Sequence, residues 1–166
     1  MPVAEIKSDG NGVHHRKSVK QLGQIPAVSL IAVGSTVMLT KNQKSLTSYG
    51  LNNGAMGVVK AILYEENVAP PAFPEVVVVD FPAYKGPAWM SDAPTLVPIP
   101  VDEGRCESNC CVRKGIPLIP GYAIPIAKSQ GMTVGANHPA TELRVKLRAK
   151  TKMEELNLGT TYTALS

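Results

Sequence analysis

Apolar positions along this chain fall in short runs, and no sustained helical period links them. Thr36-Val37-Met38-Leu39-Thr40 reads as a strand entered through Gly34, followed by the polar loop Lys41-Asn42-Gln43-Lys44. Asn52-Asn53-Gly54 predicts a turn, because Asn and Gly tolerate positive φ. Met56 to Leu63 is the next strand, and Pro70, Pro71 and Pro74 then stop any regular element. Glu75 to Phe81 holds four consecutive valines, the pattern of a short strand buried on both faces. Leu96-Val97-Pro98-Ile99 reads as a further strand, placed at an edge by its prolines. Four short strands between residues 35 and 100, joined by Gly, Pro and Asn turns, predict a small all-β unit. A closed barrel is the expected form, because closure removes free strand edges. Residues 1–29 lack clean periodicity and read as an extended lead-in or linker with a basic cluster at His14-His15-Arg16-Lys17.

The character changes after Cys111. Gly121 to Ile126 is apolar and strand-like, and the polar turn Ala127 to Thr133 follows at once, in position to open a helix. Glu142 to Lys150 alternates strictly, with Leu143, Val145, Leu147 and Ala149 against Arg144, Lys146, Arg148 and Lys150. That period of two predicts a strand with an apolar inner face and a basic outer face. Thr151 to Asn157 has room for one or two helical turns.

Composition sharpens this picture. The chain has 166 residues, enough for one domain or one and a half. Its 44% apolar content excludes a disordered chain, and no apolar run nears the ~18–20 residues of a bilayer helix, so no membrane partner is expected. Gly and Pro number 14 each, an excess that favours strands and turns over a helical bundle. Charge is uneven: residues 1–44 carry net +4, residues 45–104 net −5, and residues 105–166 net +5. An acidic middle between basic ends suggests a module inserted between two stretches able to meet a polyanion; ordinary basic surface is the plainer alternative.

Candidate chemistry is sparse. Cys106, Cys110 and Cys111 are an odd number of thiols in a chain without a secretory pattern, so no disulfide framework is expected. Their spacing resembles a zinc cluster only superficially, since a structural site wants four ligands and His14, His15 and His138 are the only histidines. A loop of reduced thiols, with no metal, is the expectation. Neighbouring acids such as Glu65-Glu66 and Asp102-Glu103 read as solvated pairs, and no catalytic residue is assigned. No G-x-x-x-x-G-K-[ST] phosphate loop occurs. Trp89 has the chemistry to stack a base, but capping of the barrel is the expected role. The strand-then-turn at Ile124–Thr133 is the best functional candidate, because a helix start attracts phosphate and Lys128 and Ser129 add donors there. A plain surface turn is the alternative.

These motifs meet a known family. Val33 to Asn42 resembles the G-[AS]-x-V-M-L-x-x-N motif of RecD-like, PIF-type DNA helicases of superfamily one. Pro2 to Ile6 looks like their opening segment, Gly50 to Gly57 like their G-L-V-N-G-x-x-G, and Phe81 to Pro87 like their F-x-x-Y-x-G-P. Val97-Pro98-Ile99 resembles the V-P-I that follows. Tyr122 to Thr133 is similar to the signature A-Y-A-I-T-I-H-K-S-Q-G-M-T, and Leu158 to Ser166 to the segment ending Y-V-A-L-S-R. The motifs come in family order over nearly the whole chain.

The resemblance implies a strand-rich α/β fold: the C-terminal part of the helicase motor, a partial second RecA-like domain carrying an inserted SH3-like β-barrel. Residues 1–30 would be the lead-in of the RecA-like core, 31–104 the barrel with its flanking motif, and 105–166 the rest of the second RecA-like domain. Such helicases unwind DNA 5′ to 3′ with ATP and magnesium, in the nucleus or mitochondrion, and serve repair, recombination and telomere maintenance. By carry-over, Lys128, Ser129 and Thr133 would lie near the backbone of single-stranded DNA, with Lys41 and Asn42 nearby. Gln130 and Gly131 would face the nucleotide at the interface with the N-terminal RecA-like domain, a partner absent from this sequence. Four departures stand out. Ala127 replaces a usual His, Pro125 a usual Thr, Gly135–Glu142 is longer than the pattern, and Cys106–Lys114 does not follow it. The sequence ends at Ser166, where the family's arginine finger would follow, a group that contributes roughly 10³–10⁵ in rate in comparable enzymes. With the phosphate loop and the magnesium-binding acid also lacking, the resemblance implies a fragment that holds no ATP or Mg²⁺ alone and is not catalytic alone. The alternative is a non-catalytic protein that binds single-stranded nucleic acid through Lys128 and the basic face at Arg144–Lys150.

Overall fold

The computed structural model describes residues 3–12, 16–68 and 72–123. These form ten strands, one turn of α-helix and a 3₁₀ turn. Five strands build the main sheet: β4 (Thr36–Leu39), β5 (Met56–Leu63), β6 (Val76–Asp80), β7 (Leu96–Pro100) and β10 (Leu118–Pro120). Their order is β10-β4-β5-β6-β7, antiparallel throughout. A two-stranded sheet pairs β1 (Ala4–Lys7) with β3 (Val28–Ile31). A three-stranded sheet has the order β2-β9-β8, from β2 (Asp9–Asn11), β9 (Val112–Gly115) and β8 (Asp102–Arg105).

The valine run behaves as its pattern predicts. β6 lies between β5 and β7, and Val77, Val78 and Val79 are buried. Each such side chain contributes about 1.5–3 kcal/mol by leaving water. Val37 and Leu39 of β4, Val59 of β5, and Val97 and Ile99 of β7 join them in one core with Leu51 and Phe81. β7 is an edge strand, as Pro98 and Pro100 require. β5 approaches β6 closely at Gly57, where a Cβ would stand 2.6 Å from the Asp80 carbonyl oxygen, so no other residue fits without shifting the ladder. At Lys60 the register with β6 slips, which relaxes the strand after that approach.

Two expectations change. The expected barrel is three sheets, none closed on itself: β10 and β7 end the main sheet without pairing to each other. The chain passes between sheets instead. Only Val101 separates β7 from β8, and only Ser8 separates β1 from β2. The lead-in, expected to be irregular, carries β1, β2 and the start of β3 despite its weak periodicity, and Ile6 of β1 and Ile31 of β3 enter the main core. The buried Ser29 hydroxyl donates to the Leu118 carbonyl at 2.7 Å and ties β3 to β10. The expected strand at Gly121–Ile126 is not seen in its described part: β10 stops at Pro120, while residues 124–126 lie outside the described residues.

The three-stranded sheet has almost no apolar core. Its buried cluster is Leu22 with Cys106 and Cys111. Arg113 compensates in part. Fully buried on β9, it donates to the Ile25 carbonyl at 2.9 Å and to the Lys17 carbonyl at 2.8 Å, which clamps residues 17–25 over the sheet. Burial lowers its pKa, yet a guanidinium stays protonated at neutral pH. The Arg113→Ala variant is expected to lose about 3 kcal/mol or more of stability by denaturant unfolding, two charge-assisted bonds at roughly 1.5–3 kcal/mol each being lost. A loss under about 1 kcal/mol would contradict the clamp.

Candidate nucleic-acid interface

Of the residues carried over from the helicase resemblance, the structure describes Lys41 and Asn42; Lys128, Ser129, Gln130, Gly131 and Thr133 lie outside the described residues, as does the basic stretch 144–150. Lys41 follows the end of β4, where the Thr40 hydroxyl donates to the Gln24 carbonyl at 2.7 Å. The Lys41 ammonium pairs with the Asp102 carboxylate at 2.8 Å and donates to the Glu103 carbonyl at 2.9 Å. Asn42 accepts the Asn53 N–H through its Oδ1 at 2.6 Å, which fastens the 52–54 turn, where Gly54 takes φ 101°. Both side chains therefore join elements far apart in sequence. To reach a phosphate, Lys41 must leave Asp102, so its positive charge is largely neutralised in this arrangement.

The loop after β6 carries Tyr84, Lys85 and Trp89. The 3.0 Å bond from the Lys85 N–H to the Tyr49 carbonyl brings the loop after β6 against the end of α1 (Lys44–Thr47). Tyr49 and Tyr84 meet edge to face with centroids 6.0 Å apart. Trp89 is 54% exposed, so it does not cap the core as expected, and Lys85 is exposed on the same loop. Tyr49 and Trp89 are exposed, and exposed rings together with a cation are the elements of a base-stacking surface. The sequence signal for it, a Tyr-Lys-Gly-Pro-Ala-Trp loop, was visible, but its exposure was not.

The cysteines form the second cluster. Cys106, Cys110 and Cys111 are all reduced, and their sulfurs lie within 4.8 Å of one another at the turn between β8 and β9. Their spacing predicts a loop of reduced thiols but not that the three sulfurs meet. The Ser108 hydroxyl beside Cys106 lowers the pKa of its thiol to about 6; burial opposes this as the next-largest effect, and Cys110 and neighbouring backbone N–H groups add to the lowering.

No family model matches the chain, and no curated protein matches it in sequence. Solved structures do match. One, described as the structural basis for DNA unwinding at forked duplex DNA by two coordinating Pif1 helicases, aligns at TM-score 0.56 and 19% identity over 80% of this chain and 26% of that one. Candida albicans Pif1 helicase aligns at 0.55 and 21%, over 80% of this chain and 31% of that one. Bacteroides Pif1 helicase in complex with ADP-AlF3 and ssDNA aligns at 0.51 and 17%, over 80% and 27%. The fold is that of a portion of Pif1 helicases. The chain spans about a quarter to a third of the length of these Pif1 structures.

Among the described residues, the close group of metal-ligating side chains consists of thiols, whereas Mg²⁺ takes carboxylate and phosphate oxygens. No step through the nucleotide follows from these residues.

The Lys41→Ala variant is expected to lose about 0.5–1 kcal/mol of stability, a partly exposed ion pair being worth little more. Asp102→Ala frees the ammonium, so it is expected to raise affinity for single-stranded DNA at low salt, measured by fluorescence anisotropy, if Lys41 reaches phosphate. Unchanged affinity would make Lys41 a structural tie alone.

Proposed function

We propose that this chain is a portion of an ATP-dependent 5′-to-3′ DNA helicase of RecD-like, PIF type, contributing contacts to single-stranded DNA and to the nucleotide interface. The observation that carries the proposal is the Pif1-like arrangement of its strands over 80% of the chain. The ordered motifs support the same reading, above all Lys128-Ser129-Gln130-Gly131-Met132-Thr133. Strands β4 to β7 of the main sheet would belong to an SH3-like insert within 31–104, flanked by parts of a RecA-like domain, with Gln130 and Gly131 toward a nucleotide held mainly by the N-terminal RecA-like domain. Phosphates would be met by Lys128, Ser129 and Thr133, with Lys41 and Asn42 near the same strand, and bases by Trp89 and the Tyr49–Tyr84 pair. A lysine and two hydroxyls suit phosphate, which supplies affinity without reading sequence. Repair, recombination and telomere maintenance are the processes such a motor would serve, in the nucleus or mitochondrion.

A second reading, a non-catalytic single-strand-binding protein, shares the same contacts. What supports it is the basic alternation of Arg144, Lys146, Arg148 and Lys150 in the sequence, with Lys128.

The test is anisotropy with a labelled single-stranded oligonucleotide over a range of salt. The 166-residue chain is expected to bind, with log affinity falling linearly against log salt at a slope near −0.7 for each phosphate contacted. Lys128→Ala is expected to reduce that slope by about one contact, and Trp89→Ala to cost roughly 1–3 kcal/mol with the slope unchanged. Absence of binding at low salt, or binding indifferent to salt, would overturn the assignment.

A further inference from the structure

The turn between β8 and β9 brings three sulfurs to one place. Cys110 Sγ lies 3.1 Å from Cys111 Sγ and 3.5 Å from Cys106 Sγ, and all three fall within 4.8 Å. A tetrahedral zinc ion with Zn–S bonds of ~2.3 Å holds its sulfurs ~3.8 Å apart, so the trio needs only small movements to take one. The turn is preformed for this. Asn109 adopts φ 55°, its N–H donates to the Cys106 carbonyl at 2.9 Å, and the Cys111 N–H points at the Cys106 sulfur at 3.2 Å. That last contact favours a thiolate over a thiol.

We propose that Cys106, Cys110 and Cys111 form a three-thiolate site for a thiophilic divalent ion of the Zn²⁺ class, one ion per chain, with solvent in the fourth position. Thiolates select such ions over Mg²⁺ or Ca²⁺. Cys106 and Cys111 are buried and Cys110 is exposed, so the open position lies on its side. Binding releases the remaining thiol protons, and three thiolates with one divalent ion leave the site at net charge −1. The site also has a structural reason to exist. The small sheet has Leu22 and two of these cysteines as its buried cluster, and a metal bond network substitutes for a core too small to hold strands together.

The test uses the whole chain, reduced and metal-free, titrated with Co²⁺ as a spectroscopic probe. A sulfur-to-cobalt charge-transfer band is expected to saturate at one equivalent and to disappear when Zn²⁺ is added. Histidine binding elsewhere gives no such band. Zinc is expected to raise the melting temperature and to protect Cys110 from alkylation, read by peptide mass. Cys110→Ser, at an exposed position where folding is checked by circular dichroism, is expected to weaken zinc binding by more than the roughly 10–100-fold that loss of an outer-shell partner costs. No charge-transfer band, a band undiminished in Cys110→Ser, or saturation at one ion per two chains would each overturn the site.

Discussion

The ladder between β5 and β6 is the constraint on which the rest of the structure depends. Gly57 lets the two backbones approach where any side chain would strike the Asp80 carbonyl, and this sets the register that buries Val77 and Val79. β4 and β10 then add on one side and β7 on the other, each short and each stable only against an existing neighbour.

Outside that ladder, polar contacts do what apolar area does inside it. Arg113, Ser29 and the Lys41–Asp102 pair each link segments between 61 and 96 positions apart. Such links are invisible to any local pattern. They also decide what the surface can do: an ammonium engaged by Asp102 and an asparagine closing a turn are part of the scaffold before they are part of an interface.

The main sheet was largely legible from the sequence. β5 has the bounds its pattern indicated, the valine run is the buried β6, and the prolines of β7 mark an edge. β6 is a continuous buried apolar run and β7 alternates between buried and less buried positions, so local hydrophobicity reports them. The strands of residues 1–31 were not legible. They are three or four residues long, and β2 pairs with β9 about a hundred positions away, so the pairing partner carries the information. Barrel closure was likewise an inference from edge avoidance, whereas the chain manages its edges by passing from one sheet to the next. Of the candidate sites, the exposure of Trp89 and the meeting of three sulfurs depend on loop geometry that spacing alone does not encode.

The proposed helicase reading makes one requirement of the gene. A motor of this type needs a phosphate loop and an arginine finger, neither of which these residues contain. Sequencing the full transcript through both ends of this reading frame tests that requirement most directly. The account predicts an in-frame G-x-x-x-x-G-K-[ST] upstream of Met1 and an arginine directly after Ser166. A mature transcript that starts at Met1, stops after Ser166 and encodes no phosphate loop would contradict the helicase assignment.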